Sequence, residues 1–149
     1  MAEDVIEFDL PVERDNVREF ALAVGEDNPV FLDVEEAHLA GYPELLAPPT
    51  FTVTQIFPVP RREREQRLGA NLNYERVLHG EQEFIYKRLP VAGEKLKGKM
   101  RIAKDFVKEG KRGGQMRFVT YETRFEDANG DEVLTALYTL IETSRDAAS

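Results

Sequence analysis

The second half of the chain narrows the fold most. From Val77 onward the residues fall into four long strand-like runs, Val77–Lys87, Glu94–Glu109, Gln115–Glu126 and Glu132–Thr143. Asp127-Ala128-Asn129-Gly130-Asp131 joins the last two. Asn-Gly is the strongest short hairpin signal, because both residues accept the positive φ of a type I′ turn. Gly110-Lys111-Arg112-Gly113-Gly114 makes the preceding turn more loosely. Long strands joined by short turns pair antiparallel, since parallel pairing needs a crossover of a dozen residues or more.

The first half is shorter in its elements. Val5 to Leu10 alternates apolar and acidic residues, as a short edge strand does. Val12–Val24 has the spacing of a helix, with Val17, Phe20, Ala21 and Val24 on one face, and Asn28-Pro29 is expected to stop it. A short helix follows over Val34–Ala40, with Asp33 as N-cap and Gly41 as C-terminal stop. Pro49 suits the first turn of a further apolar helix through Phe51, Val53, Thr54 and Phe57, stopped by Pro58 and Pro60. Arg61 to Arg67 reads as a solvated loop or a frayed helix, and the small polar tail from Ser144 as frayed. Helices first and a long antiparallel sheet after them make an α+β layout, with the helices packed on one face.

The 149 residues suit one domain, 1–149, with a core of its own. Zero cysteines exclude disulfides and thiolate chemistry and fit a reducing cytoplasm. Met1-Ala2-Glu3-Asp4 lacks the basic start of a signal peptide, and no apolar run has the length of a membrane span. The net charge of −8 is uneven: residues 1–60 hold 2 basic and 13 acidic side chains, whereas the remainder carries a small positive excess. Such a chain is poorly suited to general nucleic-acid binding, which needs cations to neutralise phosphates. Metal-ligand spacing, a G-x-S-x-G elbow and a P-loop are all missing, so no metal is expected.

Three short runs remain to carry chemistry. They are Glu26-Asp27-Asn28-Pro29-Val30-Phe31-Leu32-Asp33, the helix start Ala47-Pro48-Pro49-Thr50-Phe51, and Leu78-His79-Gly80-Glu81-Gln82. The first resembles the D-x-N-P-x-H turn of the MaoC-like, R-specific enoyl-thioester hydratases and dehydratases, in which the aspartate and histidine handle the proton and the water. Aligned on Asn28-Pro29, the aspartate position holds Glu26 and the histidine position holds Phe31. The third run is similar to the N-terminal, catalytically silent half of that family, and to the non-catalytic subunit of heterodimeric 3-hydroxyacyl-carrier-protein dehydratases. Together the motifs span nearly the whole chain.

The resemblance implies a hot-dog fold, an antiparallel sheet wrapped around a central helix, here with extra N-terminal helices. It also implies a dimer, either of two copies or with a catalytic hot-dog subunit whose D-x-N-P-x-H turn is intact. The substrate would be an acyl group on coenzyme A or acyl carrier protein, with no cofactor of the protein's own. Glu26 and His79 are the catalytic candidates; Asn28, Phe31, Asp33, Pro49, Thr50, Phe51, Gly80 and Glu81 are the candidate substrate contacts.

Each candidate has two readings at this level. Glu26 is a base if its pKa is raised, or an exposed acid ending a helix. Phe31 is plain core or the lining of an acyl channel. His79 orients substrate or replaces the lost base, or else it is a strand histidine hydrogen-bonded at an interface. Gly80 inside a strand marks a bulge or a close backbone approach. The helix start near Pro49 supplies N–H donors to a thioester oxygen, or simply begins a core helix. Lys95, Lys97, Lys99 and Arg101 share one strand face, which meets an acidic carrier or coenzyme A phosphates, or faces solvent. Three functions follow: a dehydratase subunit shaping the acyl tunnel for a catalytic partner, an active homodimeric hydratase using Glu26 or His79, and an acyl-CoA-binding module without catalysis.

Overall fold

A computed structural model describes residues 4–111 and 114–144. Arg112 and Gly113 of the expected turn, residues 1–3 and the tail 145–149 lie outside the described residues.

Five antiparallel strands form one sheet in the order β1-β3-β4-β5-β2. They are β1 (Ile6–Pro11), β2 (Val77–Tyr86), β3 (Lys95–Glu109), β4 (Gln115–Glu126) and β5 (Glu132–Thr143). Three helices, α1 (Arg14–Ala23), α2 (Val34–Leu39) and α3 (Arg61–Leu68), are interspersed with 3-10 turns at Pro29–Phe31, Phe51–Ile56 and Tyr74–Arg76.

The β4–β5 hairpin forms where expected, with a different turn. Gly130 takes positive φ (+82°) but Asn129 does not, and the Gly130 N–H donates to the Asp127 carbonyl at 3.0 Å. The Asp127 carboxylate accepts from the amides of Asn129 and Asp131, so side-chain acceptors replace the second left-handed residue.

One face of the sheet is the core face. Leu96 of β3, Phe125 of β4 and Leu134 and Ala136 of β5 are buried with Val17 of α1 and with Phe51. A second cluster, Val119, Tyr121 and Leu140, lies under Ala70 and Leu72 in the segment after α3. Gly98 on β3 is there because nothing larger fits: a Cβ would stand 2.2 Å from the Phe8 ring. Phe8 in turn meets Phe125 edge-on at 6.0 Å.

Two elements depart from expectation. The apolar helix at the centre of the sheet is a six-residue 3-10 turn. Pro48, Pro49, Pro58 and Pro60 confine it, Thr52, Val53, Thr54 and Ile56 are β-branched, and the Thr54 hydroxyl bonds back to the Phe51 carbonyl at 2.8 Å. The charged run after it is a complete helix, because Arg, Glu, Gln and Leu are good helix formers and Gly69 caps it at φ +71°.

Candidate functional site

Helix α1 delivers the Glu26–Asp33 turn, and Gly25 rather than Asn28-Pro29 ends the helix. At φ +74° Gly25 turns the chain left-handed; its N–H donates to Leu22 and that of Glu26 to Ala21, a Schellman closure. This stops the helix at Ala23, so Val24 turns outward and is exposed instead of continuing the buried face.

Beyond that closure the polar residues of the turn serve the backbone. The Glu26 carboxylate accepts from the Asn28 amide at 3.2 Å and the Asn28 side chain from the Val30 amide at 3.2 Å. Asp33 caps α2 as expected, accepting from Glu35 at 2.8 Å and Glu36 at 3.3 Å. Arg18 of α1 donates to the Leu32 carbonyl at 2.9 Å, which fixes the turn against the helix. Phe31 is only 7% exposed and packs with Ala21 and Leu46, against Leu89 and Val91. The position of the family's histidine is therefore filled by a core side chain.

The central turn offers few donors. Pro48 and Pro49 have no N–H, the Ala47 amide donates to Pro90 at 2.8 Å, and the Phe51 amide donates to Pro48 at 2.9 Å. The Pro49 carbonyl accepts from the Tyr86 hydroxyl, and Thr50 is exposed. Thr52 Oγ1 and Gln55 Oε1 are buried without a hydrogen-bond partner. Phe51 meets Phe20 edge-on at 5.6 Å, and both line an apolar cleft of about 660 Å³ with Leu10, Ala23, Phe57 and Pro58. Phe31 lies in another cluster. It backs onto a second cleft of about 880 Å³ that shares Leu46, Leu89 and Val91 with its surroundings. Both volumes are in the range of small-molecule sites, roughly 300–1,000 Å³.

Gly80 makes the bulge expected of it. The β2–β5 register shifts between His79 and Glu81, and a Cβ on Gly80 would come within 2.8 Å of Ile141. The extra residue breaks the alternation, so His79 and Glu81 face opposite sides of the sheet. His79 pairs with Leu140 and sits 5.4 Å from the Tyr138 ring on the core face, whereas Glu81 pairs with Thr139 on the outer face. The three neighbours His79, Gly80 and Glu81 thus do not converge on one ligand. Among the described residues no hydrogen bond, ring contact or shared core cluster joins Glu26 to His79.

The basic strip lies on the outer face and its charges are met within the chain. Lys95 pairs with Asp9 at 3.4 Å, Lys97 with Glu7 at 4.0 Å, Lys99 with Glu126 at 2.8 Å and Arg101 with Glu122 at 3.0 Å.

The polar cluster that sequence reasoning passed over is built around Arg64. This α3 side chain is 7% exposed, lies 4.7 Å over the Tyr121 ring, and donates to the Tyr74 hydroxyl at 2.8 Å. Tyr74 and Tyr121 both donate to Glu65 Oε1, at 2.7 and 3.0 Å. Burial opposes the charge on Arg64, but the Tyr74 hydrogen bond and the surrounding phenol oxygens outweigh it and hold the guanidinium above its ordinary value. Burial, then the Glu65 carboxylate, pushes the Tyr121 hydroxyl well above the phenol range. These phenols are fixed proton donors at neutral pH, and the arginine stays charged. No local pattern marks Arg64, because α3 is charged nearly all round and its periodicity singles out none of its arginines.

Comparison with known proteins adds a family. The profile described as the FAS1-like dehydratase domain region matches residues 2–136. A UPF0336 protein of Leifsonia xyli is 38% identical over 131 residues, covering 87% of this chain and 83% of that one. Another from Clavibacter michiganensis is 38% identical over 143 residues, covering 91% and 87%. Among solved structures, the C-terminally truncated HadBC (3R-hydroxyacyl-ACP dehydratase) complex of Mycobacterium tuberculosis superposes with TM-score 0.76 at 25% identity, over 95% of this chain and 98% of that one. A MaoC-like dehydratase superposes with TM-score 0.79 at 27% identity, over 95% of this chain and 42% of that one. The ChsH1–ChsH2 complex of M. tuberculosis, at 19% identity and TM-score 0.70, shares the fold. Among the described residues no helix is long and apolar enough to cross a membrane, and no group of His, Asp and Glu could hold a metal ion.

Proposed function

The chain belongs to the FAS1-like dehydratase-region family of MaoC-like hot-dog proteins, and from that premise we propose that it is the substrate-holding subunit of a (3R)-hydroxyacyl-thioester dehydratase or enoyl-thioester hydratase. The observation that carries this reading is Phe31, buried where the family's turn presents its histidine. Removal of water from a 3-hydroxyacyl thioester needs a base at the α-carbon, an acid at the leaving hydroxyl and donors at the carbonyl oxygen. A phenyl ring transfers no proton, the Glu26 carboxylate holds its own turn together, and the amides of Ala47 and Phe51 are spent on backbone carbonyls. What the chain does offer is apolar surface. The Phe20–Phe51 cleft is of a size to take an acyl chain, and Phe57, 78% exposed, lines it at the surface.

In this reading a partner subunit with an intact D-x-N-P-x-H turn supplies the acid and base, and this chain supplies the channel wall. The acyl group arrives on coenzyme A or acyl carrier protein, and no cofactor of the protein's own takes part. The test is co-expression with such a partner and assay of crotonyl-thioester hydration, beside the chain alone. We expect activity in the pair, with Phe51→Ala and Phe57→Ala in this chain raising KM for long acyl thioesters more than for crotonyl. Full-rate hydration by the chain alone, slowed about 100-fold by Glu26→Gln or His79→Ala, would overturn the reading in favour of an active homodimer. Saturable acyl-CoA binding with no turnover in any pairing would leave a binding module.

A further inference from the structure

The central 3-10 turn, Phe51–Ile56, sets its residues on three ridges, because positions i and i+3 eclipse in a coil of three residues per turn. Phe51 and Thr54 share one ridge and line the apolar cleft with Phe57. Val53 and Ile56 form a second ridge and are 37% and 58% exposed. Thr52 and Gln55 form the third, and Pro58, three residues beyond Gln55, is itself part of the cleft wall. Thr52 is 1% exposed, and neither its Oγ1 nor Gln55 Oε1 meets a hydrogen-bond partner among the described residues. A threonine in a tight coil bonds back to a carbonyl one turn earlier. Thr54 does so to Phe51 at 2.8 Å, but the equivalent carbonyl for Thr52, that of Pro49, accepts from the Tyr86 hydroxyl instead. The Gln55 carbonyl accepts from the Val59 amide at 2.9 Å, so only the side chain of Gln55 is left over. Sealed polar atoms without partners are costly, and native proteins keep them where something else meets them.

We infer that Thr52 and Gln55 form a polar subsite for a hydroxyl carried on the acyl chain, so that the substrates of this subunit are thioesters oxygenated along the tail. The inference rests on the subunit reading above and names the substrate class. In that reading the partner holds the reacting carbons, and this chain walls the remainder of the acyl group. The chemistry of the pair selects a hydroxyl. A threonine hydroxyl and a primary amide each offer a donor and an acceptor, and a hydroxyl answers both. A carboxylate only accepts, and the one charged residue lining the cleft among the described residues is an acid, Glu19. A plain hydrocarbon tail leaves both atoms unpaired, which is how a site built for a hydroxyl rejects the analogue without one.

Calorimetric titration of the full chain tests this, since every residue lining the cleft belongs to it. The ligands are dodecanoyl-coenzyme A and a set of its monohydroxylated derivatives, which differ only in where the hydroxyl stands between mid-chain and methyl end. At least one derivative should bind wild type about tenfold or more tighter than dodecanoyl-coenzyme A. Thr52→Val, which keeps the shape, and Gln55→Leu should each close that gap, and thermal melting checks that both variants fold. Equal binding of plain and hydroxylated chains to wild type overturns the inference by itself and leaves the subunit reading standing. A gap that survives both substitutions overturns it too, since the hydroxyl then sits elsewhere. Weakening of plain and hydroxylated chains alike would give the pair to the amides of the pantetheine arm, which also overturns it. Only if none of these thioesters binds does the acyl-holding reading fall together with the inference.

Discussion

Phe31 and Gly98 show how much a single side chain decides in this fold. A histidine at position 31 would place a polar ring among Ala21, Leu46 and Val91 with no partner in that cluster. Phe31→His should cost about 1–3 kcal/mol, read from urea unfolding, and leave the lone chain without thioester hydration. A gain of hydration would show that the missing imidazole was the whole defect. Gly98→Ala should also cost about 1–3 kcal/mol, because the new Cβ runs into Phe8 and the ring has Phe125 behind it. Phe8→Leu in the same chain should recover part of that loss, and a double-mutant cycle without coupling would refute the contact. Asn28 and Asp33 were legible as turn and cap residues because their roles are local. The fate of Glu26 was not, since it depends on Gly25 ending α1 and aiming its carboxylate at the Asn28 amide.

Helix α3 has almost no apolar face beyond Leu68, so its attachment leans on one buried arginine and the Tyr74–Glu65–Tyr121 hydrogen bonds. Arg64→Met keeps the stem and removes the charge and its bond to Tyr74. We expect a loss of about 1.5–3 kcal/mol and faster amide exchange in α3, with the β4 and β5 core amides less affected. Uniform acceleration across the sheet would mean that α3 does not open as a separate unit. A run of Arg and Glu looks solvated because charges are almost never buried unpaired, and periodicity carries no mark of which one is paired. The 3-10 turn at Phe51–Ile56 was missed for a related reason. Its apolar spacing suits a helix, but prolines on both sides and four β-branched residues leave room only for a tighter coil. The bulge at Gly80 was legible from a glycine inside a strand, whereas its effect, turning His79 and Glu81 to opposite faces, needs the partner strand.

At the scale of the molecule, the tyrosine cluster ties α3 to the sheet and gives stability a pH dependence. Burial first, and the Glu65 carboxylate next, raise the hydroxyls of Tyr74 and Tyr121, and burial raises Tyr138. The folded state therefore holds these protons more tightly than the unfolded chain, whose phenols titrate near about 10. Their contribution is fully present below that value and is lost as pH rises through the folded values. The melting temperature should fall above pH of about 10, and Tyr121→Phe should flatten that fall; an unchanged slope would remove Tyr121 from the account. The strands, the β4–β5 hairpin and the MaoC-like turn were determined by the sequence itself, because alternation, turn chemistry and short motifs are written in neighbouring residues. Only the tertiary structure decided that Arg64 is buried, that Phe31 and Phe51 belong to different clusters, and that His79 and Glu81 part company. Each of these depends on which distant segment packs against which face, and no local pattern encodes that.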